Sequence, residues 1–337
     1  MKIVNKIEKV GNDIFPFLEG IFYSNLKPSS SWETMDLCYV ENNTISVKYK
    51  GDFSYGKDLN GSFIWQPTNG QNLYCIDERF TNLLLMEGEI YFSTIALSAR
   101  LNNNLIFGKR DQEKEKYFIF RKNRTINEVK RIYFTETNKY WISPQFESSP
   151  IGIYDKNETL LYQIDINEHI PPFGIVKKKD SLVILASENL ILIPIENGQL
   201  YALNIEDGSL KWATKFEGVL GGDYELYEDK IYRNTGDFLM EIDIHSGNLL
   251  RTIEYKKFSE LKDMFGITGN FRIYDDYIIL KDQIRGYVIM LDRKTLELAE
   301  FVDVGCRLPS GMGGIHWCNK QLYVVDYRNH ILNIYQK

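Results

Sequence analysis

Apolar and polar residues alternate with a period of two in short runs, and the runs are parted by residues that favour turns. In "GQLYALNIEDGSLKW", residues 198 to 212, Leu200 to Leu203 predicts a strand, Glu206-Asp207-Gly208 a turn, and Leu210 to Phe216 a second strand. The stretch "YEDKIYRNTGDFLMEIDIHSGNLLRTIEY", residues 227 to 255, predicts three strands with turns at Thr235-Gly236-Asp237 and His245-Ser246-Gly247. These turn residues take positive φ or hydrogen-bond their own backbone. In "FLMEID", Phe238, Met240 and Ile242 share one face and Leu239 lies on the other. A strand that is apolar on both faces expects a sheet covered on both sides.

A second pattern sets a longer period. An apolar strand, a short polar hairpin and a β-branched or aromatic pair recur in "LCYVENNTIS", "LLLMEGEIY", "YFTETNKYWI", "IVKKKDSLVI", "LYEDKIY", "IYDDYIIL" and "IHWCNKQLYVV". Anchored at Ile45, Ile90, Trp141, Leu182, Ile231, Ile278 and Leu322, the units follow one another at 41 to 51 residues. That is the period of a four-stranded propeller blade. The expectation is one all-β domain over residues 1–337, a seven-bladed β-propeller of four-stranded antiparallel blades. Its last unit has strands at Ile315 to Trp317, Leu322 to Asp326 and Ile331 to Tyr335, and lacks a fourth. An unpaired edge invites mispairing. A strand within Lys2 to Tyr23, from the ring-closing segment 1–24, is therefore expected to complete that blade and close the ring.

Composition narrows the partners. Aromatic residues make up 14% and apolar residues 44%, as a folded strand-rich chain requires. A net charge of -6 gives no general affinity for a phosphate backbone, so nucleic acid is not expected as a partner. No apolar run reaches membrane-spanning length. Cys38, Cys75, Cys306 and Cys318 are scattered, which points to neither a disulfide framework nor a zinc site. With no signal-like segment at the start, the expected location is the cytoplasm.

The stretches "GQLYALNIEDGSLKW" and "GDFLMEIDIHSGNLLRTIEY" resemble the quinoprotein-type, or PQQ-like, repeat of β-propellers. The resemblance rests on Leu203-Asn204, Asp207-Gly208, Leu210 and Trp212, then on Ile242-Asp243, Ser246-Gly247 and Leu249. "VIMLDRKTLELAEF" is a degenerate copy, with Asp292 kept and Leu296 where the repeat has glycine. The clearest match covers residues 170–300. The repeat implies a fold; it is hosted by dehydrogenases, assembly scaffolds and binding proteins alike. The family's quinone enzymes are implied to act outside the cytoplasm, with a calcium ion and adjacent cysteines, and this sequence has no adjacent cysteine pair.

Candidate chemistry is sparse. His245 and His330 fall in turns, and His316 and Cys318 share one side of a strand without a third ligand in sequence. No EF-hand run, G-x-S-x-G elbow or H-E-x-x-H occurs, so no catalytic residue, metal or cofactor is assigned. Gly174, Gly222, Gly269 and Gly314 recur eight or nine residues before the anchors, where strands crowd at a propeller axis. Position alone then nominates Asp223, Tyr224, Asn270, Arg272 and His316 as partner-binding residues at the channel mouth. "FGKRDQEKEKYFIF" predicts a long hairpin, and "KKFSELKDMFG", residues 256 to 266, a short amphipathic helix capped by Ser259. The functional expectation is a non-catalytic, monomeric propeller that binds another protein. Its narrower form is an immunity-type protein that occludes a basic bacterial toxin, drawn in by opposite charge. The alternative is a propeller enzyme, PQQ-like or sugar- or lactone-processing, with a site at the channel mouth.

Overall fold

The computed structural model describes residues 1–27, 34–51, 53–58, 62–67, 71–92, 105–111, 114–120, 126–129, 135–137, 139–143, 150–164, 185–187, 189–195, 198–216, 223–261, 270–309 and 311–337. The chain divides into two compact units. The first comprises Met1–Ile90, Gly236–Phe238 and Ile253–Lys337, and the second Tyr91–Thr235 and Leu239–Thr252.

Within the first unit the strands are β1 (Lys2–Glu8), β2 (Val10–Phe17), β3 (Gly20–Leu26), β4 (Thr34–Glu41) and β5 (Thr44–Tyr49). They continue with β6 (Phe53–Asp58), β7 (Ser62–Pro67), β8 (Gln71–Asp77) and β9 (Asn82–Phe92). The second unit holds β10 (Leu105–Asp111), β11 (Lys114–Phe120), β12 (Ile126–Val129), β13 (Thr135–Glu136), β14 (Trp141–Ile142), β15 (Ile151–Tyr154) and β16 (Leu160–Ile164). It goes on through β17 (Leu185–Ala186), β18 (Leu190–Ile195), β19 (Gln199–Asn204), β20 (Leu210–Lys215), β21 (Asp223–Tyr227), β22 (Lys230–Asn234), β23 (Phe238–Asp243) and β24 (Leu249–Glu254). Back in the first unit are β25 (Arg272–Ile273), β26 (Tyr277–Asp282), β27 (Tyr287–Asp292), β28 (Leu298–Asp303), β29 (Ile315–Cys318), β30 (Gln321–Asp326) and β31 (Ile331–Gln336).

The described strands form six four-stranded antiparallel sheets, and β6 to β12 form one seven-stranded sheet in chain order. Among the described strands six sheets have the expected four strands and one has seven. Trp141, Ile231, Ile278 and Leu322 lie in second strands of their sheets, but Ile45 lies in the outermost strand β5 and Ile90 in β9. Leu182 lies outside the described residues. A polar hairpin between apolar runs does not say which of a sheet's hairpins it is, so the spacing slipped over the first units.

Both faces of the middle strands are buried. Ile278, Ile279 and Leu280 in β26, and Ile191, Leu192 and Ile193 in β18, are consecutive and wholly enclosed. Within each unit, neighbouring sheets pack face to face. In the first unit Ile7, Ile14, Ile21, Val325 and Ile334 join the sheet of β29–β31 to that of β2–β5. Ile279, Met290, Ile315 and Val324 join the sheet of β25–β28 to that of β29–β31. In the second unit Ile142, Ile153, Ile191, Ile193 and Tyr201 join the sheets of β13–β16 and β17–β20. Each fully buried side chain of this size contributes roughly 1.5–3 kcal/mol.

A turn of one kind recurs in three sheets. The backbone N–H groups of Gly208, Gly247 and Leu296 donate to the carbonyls of Asn204, Asp243 and Asp292 at 2.8, 2.9 and 2.7 Å. The side chain of the first residue caps the turn: Asp243 Oδ1 accepts from the N–H groups of His245 and Ser246 at 3.1 and 2.8 Å. Trp212 Nε1 on β20 then donates to the carbonyl of Ile244 at 3.0 Å and so ties its sheet to the next. Gly247, at φ +70°, must be small, because an added Cβ would lie 2.5 Å from Trp212 Cε3. Leu296 takes φ +60° without being glycine, and its side chain is fully buried. Burial offsets the roughly 1–2 kcal/mol cost of that conformation.

Two expectations change in detail. Residues 255–261 form two short 3₁₀ turns, Tyr255–Lys257 and Ser259–Leu261. Tyr255, Phe258 and Leu261 are the buried residues there, and a spacing of three suits a helix of three residues per turn. Ser259 Oγ donates to Glu260 Oε2 at 2.9 Å. The ring-closing segment 1–24 splits at Lys9. Lys2–Glu8 pairs antiparallel with Ile331–Gln336 as the outermost strand of the last sheet, whereas Val10 onwards belongs to the sheet of β2–β5. Deleting residues 2–8 should lower stability by about 2 kcal/mol or more, through loss of buried Ile7 and exposure of the β31 edge. Thermal denaturation checks this, and an unchanged midpoint contradicts it.

Candidate functional site

In the first unit the innermost strands β2, β25 and β29, from three different sheets, bring polar side chains together. Ile14 N–H donates to the carbonyl of Gly313 at 3.1 Å, which brings β2 against the lead-in to β29. An added Cβ on Gly313 would lie 2.1 Å from Asp13 Oδ1, which places the Asp13 carboxylate beside this stretch of backbone. Arg272 Nη1 lies 2.9 Å from His316 Nδ1, and the Tyr274 hydroxyl 3.5 Å from the same nitrogen. A guanidinium can only donate, so Nδ1 accepts and the imidazole proton sits on Nε2.

Electrostatics follow from this packing. Burial, and then the Arg272 charge, push His316 well below its usual value, while hydrogen bonding to the backbone at Ile14 and Gly313 opposes them. Lys281 is fully buried, and its Nζ donates to the carbonyls of Pro309 and Gly311. Burial, with Arg272 adding repulsion, pushes Lys281 down to about 8. Asp13 meets solvent yet is surrounded by enough protein to raise its pKa, with Arg272 pulling the other way.

Of the five nominated residues, Arg272 and His316 are in contact, and Asn270 is half-buried two residues before Arg272. Asp223 and Tyr224 belong to the second unit, where they pair across β21 and β22 with Asn234 and Arg233. There the Arg233 guanidinium, itself buried, lies 5.2 Å from the Tyr224 ring and 5.7 Å from that of Phe216. Burial raises the Tyr224 hydroxyl to about 12 despite that cation. Asp13, Tyr274, Lys281 and Arg233 were not foreseen. The signal for Lys281 was a cation at the end of the apolar run "YIIL". Gly314 is buried and packs against Pro309 and Val325, as close strand approach requires, while Gly174, Gly222 and Gly269 lie outside the described residues. Among the described residues, no three His, Cys, Asp or Glu side chains are grouped to hold a metal ion.

No family model and no curated protein matches the chain. Solved structures do match it over nearly its whole length. The computationally designed Ika8 protein superposes with a TM-score of 0.61 at 8% identity, covering 99% of this chain and 98% of that one. Sqt1 from Saccharomyces cerevisiae gives 0.60 at 10% identity over 99% and 98%. BamB from Moraxella catarrhalis gives 0.53 at 13% identity over 100% and 99%.

The fold is a β-propeller.

Identities this low show the fold alone. The likeness to the quinoprotein-type repeat stays a resemblance, since no family model supports it.

The site makes a pH prediction. His316 takes up a proton near 6.5 when unfolded and resists it when folded, so its contribution is present above 6.5 and is lost as pH falls below that value. Between about pH 6.5 and 5 the wild-type melting temperature should fall more steeply than that of His316→Asn. Parallel profiles for the two proteins contradict the assignment.

Proposed function

We propose that the chain is a binding propeller, which engages a protein partner through its loop-bearing face and performs no chemistry of its own. The observation that carries this reading is how the reactive groups at the inner strands are engaged. The His316 imidazole is 2% exposed with Nδ1 occupied by Arg272, and the Lys281 ammonium is held by backbone carbonyls. A general base or nucleophile needs a free lone pair within reach of substrate. The enzyme alternative asks for carboxylates converging on the inner strands, and the carboxylate placed with this cluster among the described residues is Asp13.

Propellers commonly bind protein partners, and that association of fold with role supports the reading without carrying it. The proposal treats the chain as one monomeric propeller domain whose ring is closed by β1 in the last sheet. A cytoplasmic location belongs to the same proposal and is supported by four cysteines that form no disulfide with one another. The narrower idea of a basic toxin rests on net charge alone.

The test uses the tagged full chain as bait in lysate of its own cells, followed by titration of the purified partner against the purified chain. A stoichiometric partner whose affinity survives a chelator is the expected result. A chain that retains no protein, carries a stoichiometric divalent ion and turns over a sugar or lactone contradicts it.

A further inference from the structure

Two neighbouring hairpins of the first unit are built on the same brace. Between β26 and β27, Asp282 Oδ1 accepts from the N–H groups of Ile284 and Arg285, both at 3.0 Å, and Gly286 N–H donates to the Asp282 carbonyl at 3.0 Å. Between β30 and β31, Asp326 Oδ1 accepts from the N–H groups of Arg328 and Asn329, both at 3.1 Å, and Asn329 Nδ2 donates to Oδ2 at 2.7 Å.

The connection between β28 and β29 ties the hairpins together. Val304 and Leu308 donate their N–H groups to the carbonyls of Gly286 and Gln283 at 2.9 and 3.0 Å, and the Cys306 thiol bonds to Asp326. Lys281 holds the same connection from below through Pro309 and Gly311. The joint between β1 and β2 adjoins it, with Val10 N–H donating to the carbonyl of His330 at 2.9 Å. The surface is therefore continuous and fixed by backbone bonds.

What this surface displays is unlike the chain as a whole. Ile284 is 67% exposed and Tyr327 37%, and each is followed by an exposed arginine, Arg285 and Arg328. Arg307 and Lys9 are exposed between and beside them. Asp282 and Asp326 are buried in their turns, which leaves Glu8 and Asp303 as the exposed acids of these segments. Asp303 is itself engaged by Gly305 N–H at 2.8 Å. A chain of net charge -6 thus presents here four exposed cations against two exposed acids, with two apolar tips.

We infer that the face formed by Lys9, Ile284, Arg285, Arg307, Tyr327 and Arg328 docks an acidic protein segment, whose carboxylates meet the cations and whose apolar side chains lie on Ile284 and Tyr327. This rests on the protein-binding reading and names the surface and the chemistry of the partner. A single exposed apolar side chain is ordinary. Two on neighbouring braced turns, each with an arginine beside it, form a pattern, and tyrosine and arginine are the residue types that dominate interface energies. A frame already held in place loses little freedom on binding. Charge complementarity then selects the partner, and at this face it selects an acidic one.

The test selects a phage-displayed random-peptide library on the immobilised full chain and measures the enriched peptides by fluorescence anisotropy at low and high salt. A single-stranded oligonucleotide serves as a competing polyanion. The expected peptides are acidic with interspersed aromatic or aliphatic residues. Arg307→Glu/Arg328→Glu should bind them at least about 10-fold more weakly. Ile284→Ser/Tyr327→Ser should also weaken them, with the loss persisting at high salt, while Lys211→Glu and Lys256→Glu leave them unchanged. Peptides that bind all variants equally, or that are basic, overturn the assigned face and leave the protein-binding reading standing. An oligonucleotide that binds more tightly than any peptide, through the same arginines, overturns the partner class. A library that yields no binder overturns this inference and counts against the protein-binding reading too.

Discussion

Everything in this structure depends on short antiparallel sheets being buried on both faces. A sheet covered on one side can alternate apolar and polar residues, but these middle strands cannot. In β30 every residue from Gln321 to Asp326 is buried, and β26 is buried from Ile278 onwards. The outermost strands relax this demand, so Leu160 and Leu161 in β16 and Leu249 and Leu250 in β24 are exposed. In the second unit neighbouring sheets are also fastened at the capped turns, where Tyr162 and Trp212 donate to the carbonyls of Ile205 and Ile244. The turn itself does not require glycine, as Leu296 at φ +60° shows.

The same demand shapes the chemistry. Where inner strands begin, backbone from different sheets crowds together, and polar side chains that enter this space are drawn into bonds that hold it. Arg272, His316 and Lys281 connect β25, β29, β26 and the segment before β29. A histidine whose acceptor nitrogen faces a guanidinium is stable only when neutral. Such a cluster stiffens the platform, and the residues free to meet a partner are those at the hairpin tips. Fixed frames with exposed loops suit recognition.

The sequence was most legible where a strand and its turn are both marked. The runs around residues 198–255 state period, turn residue and partner strand at once, whereas Arg272 and His316 were nominated only by their position after the recurring glycines. Legibility failed where the backbone changes course without a marker. Lys9 adopts φ +59° between β1 and β2, and a lysine does not announce such a break, so the sequence did not show where within Lys2 to Tyr23 the strand that pairs with β31 ends. The segment at 255–261 carries apolar residues three apart, a spacing that an α-helix and a 3₁₀ turn nearly share. Lys281 looked out of place in an apolar strand, and only the tertiary structure supplies the two carbonyls that explain it.

The central claim is that the polar groups at the inner strands are structural fastenings, which leaves the protein to act by binding. It is tested most directly by following the ring nitrogens of His316 with long-range proton–nitrogen NMR while pH is lowered from about 8 to about 5. The account predicts one neutral tautomer, protonated at Nε2, that persists unchanged across the range. A titration centred near the ordinary histidine value, or rapid exchange between tautomers, would mean that the imidazole is available for proton transfer and would contradict it.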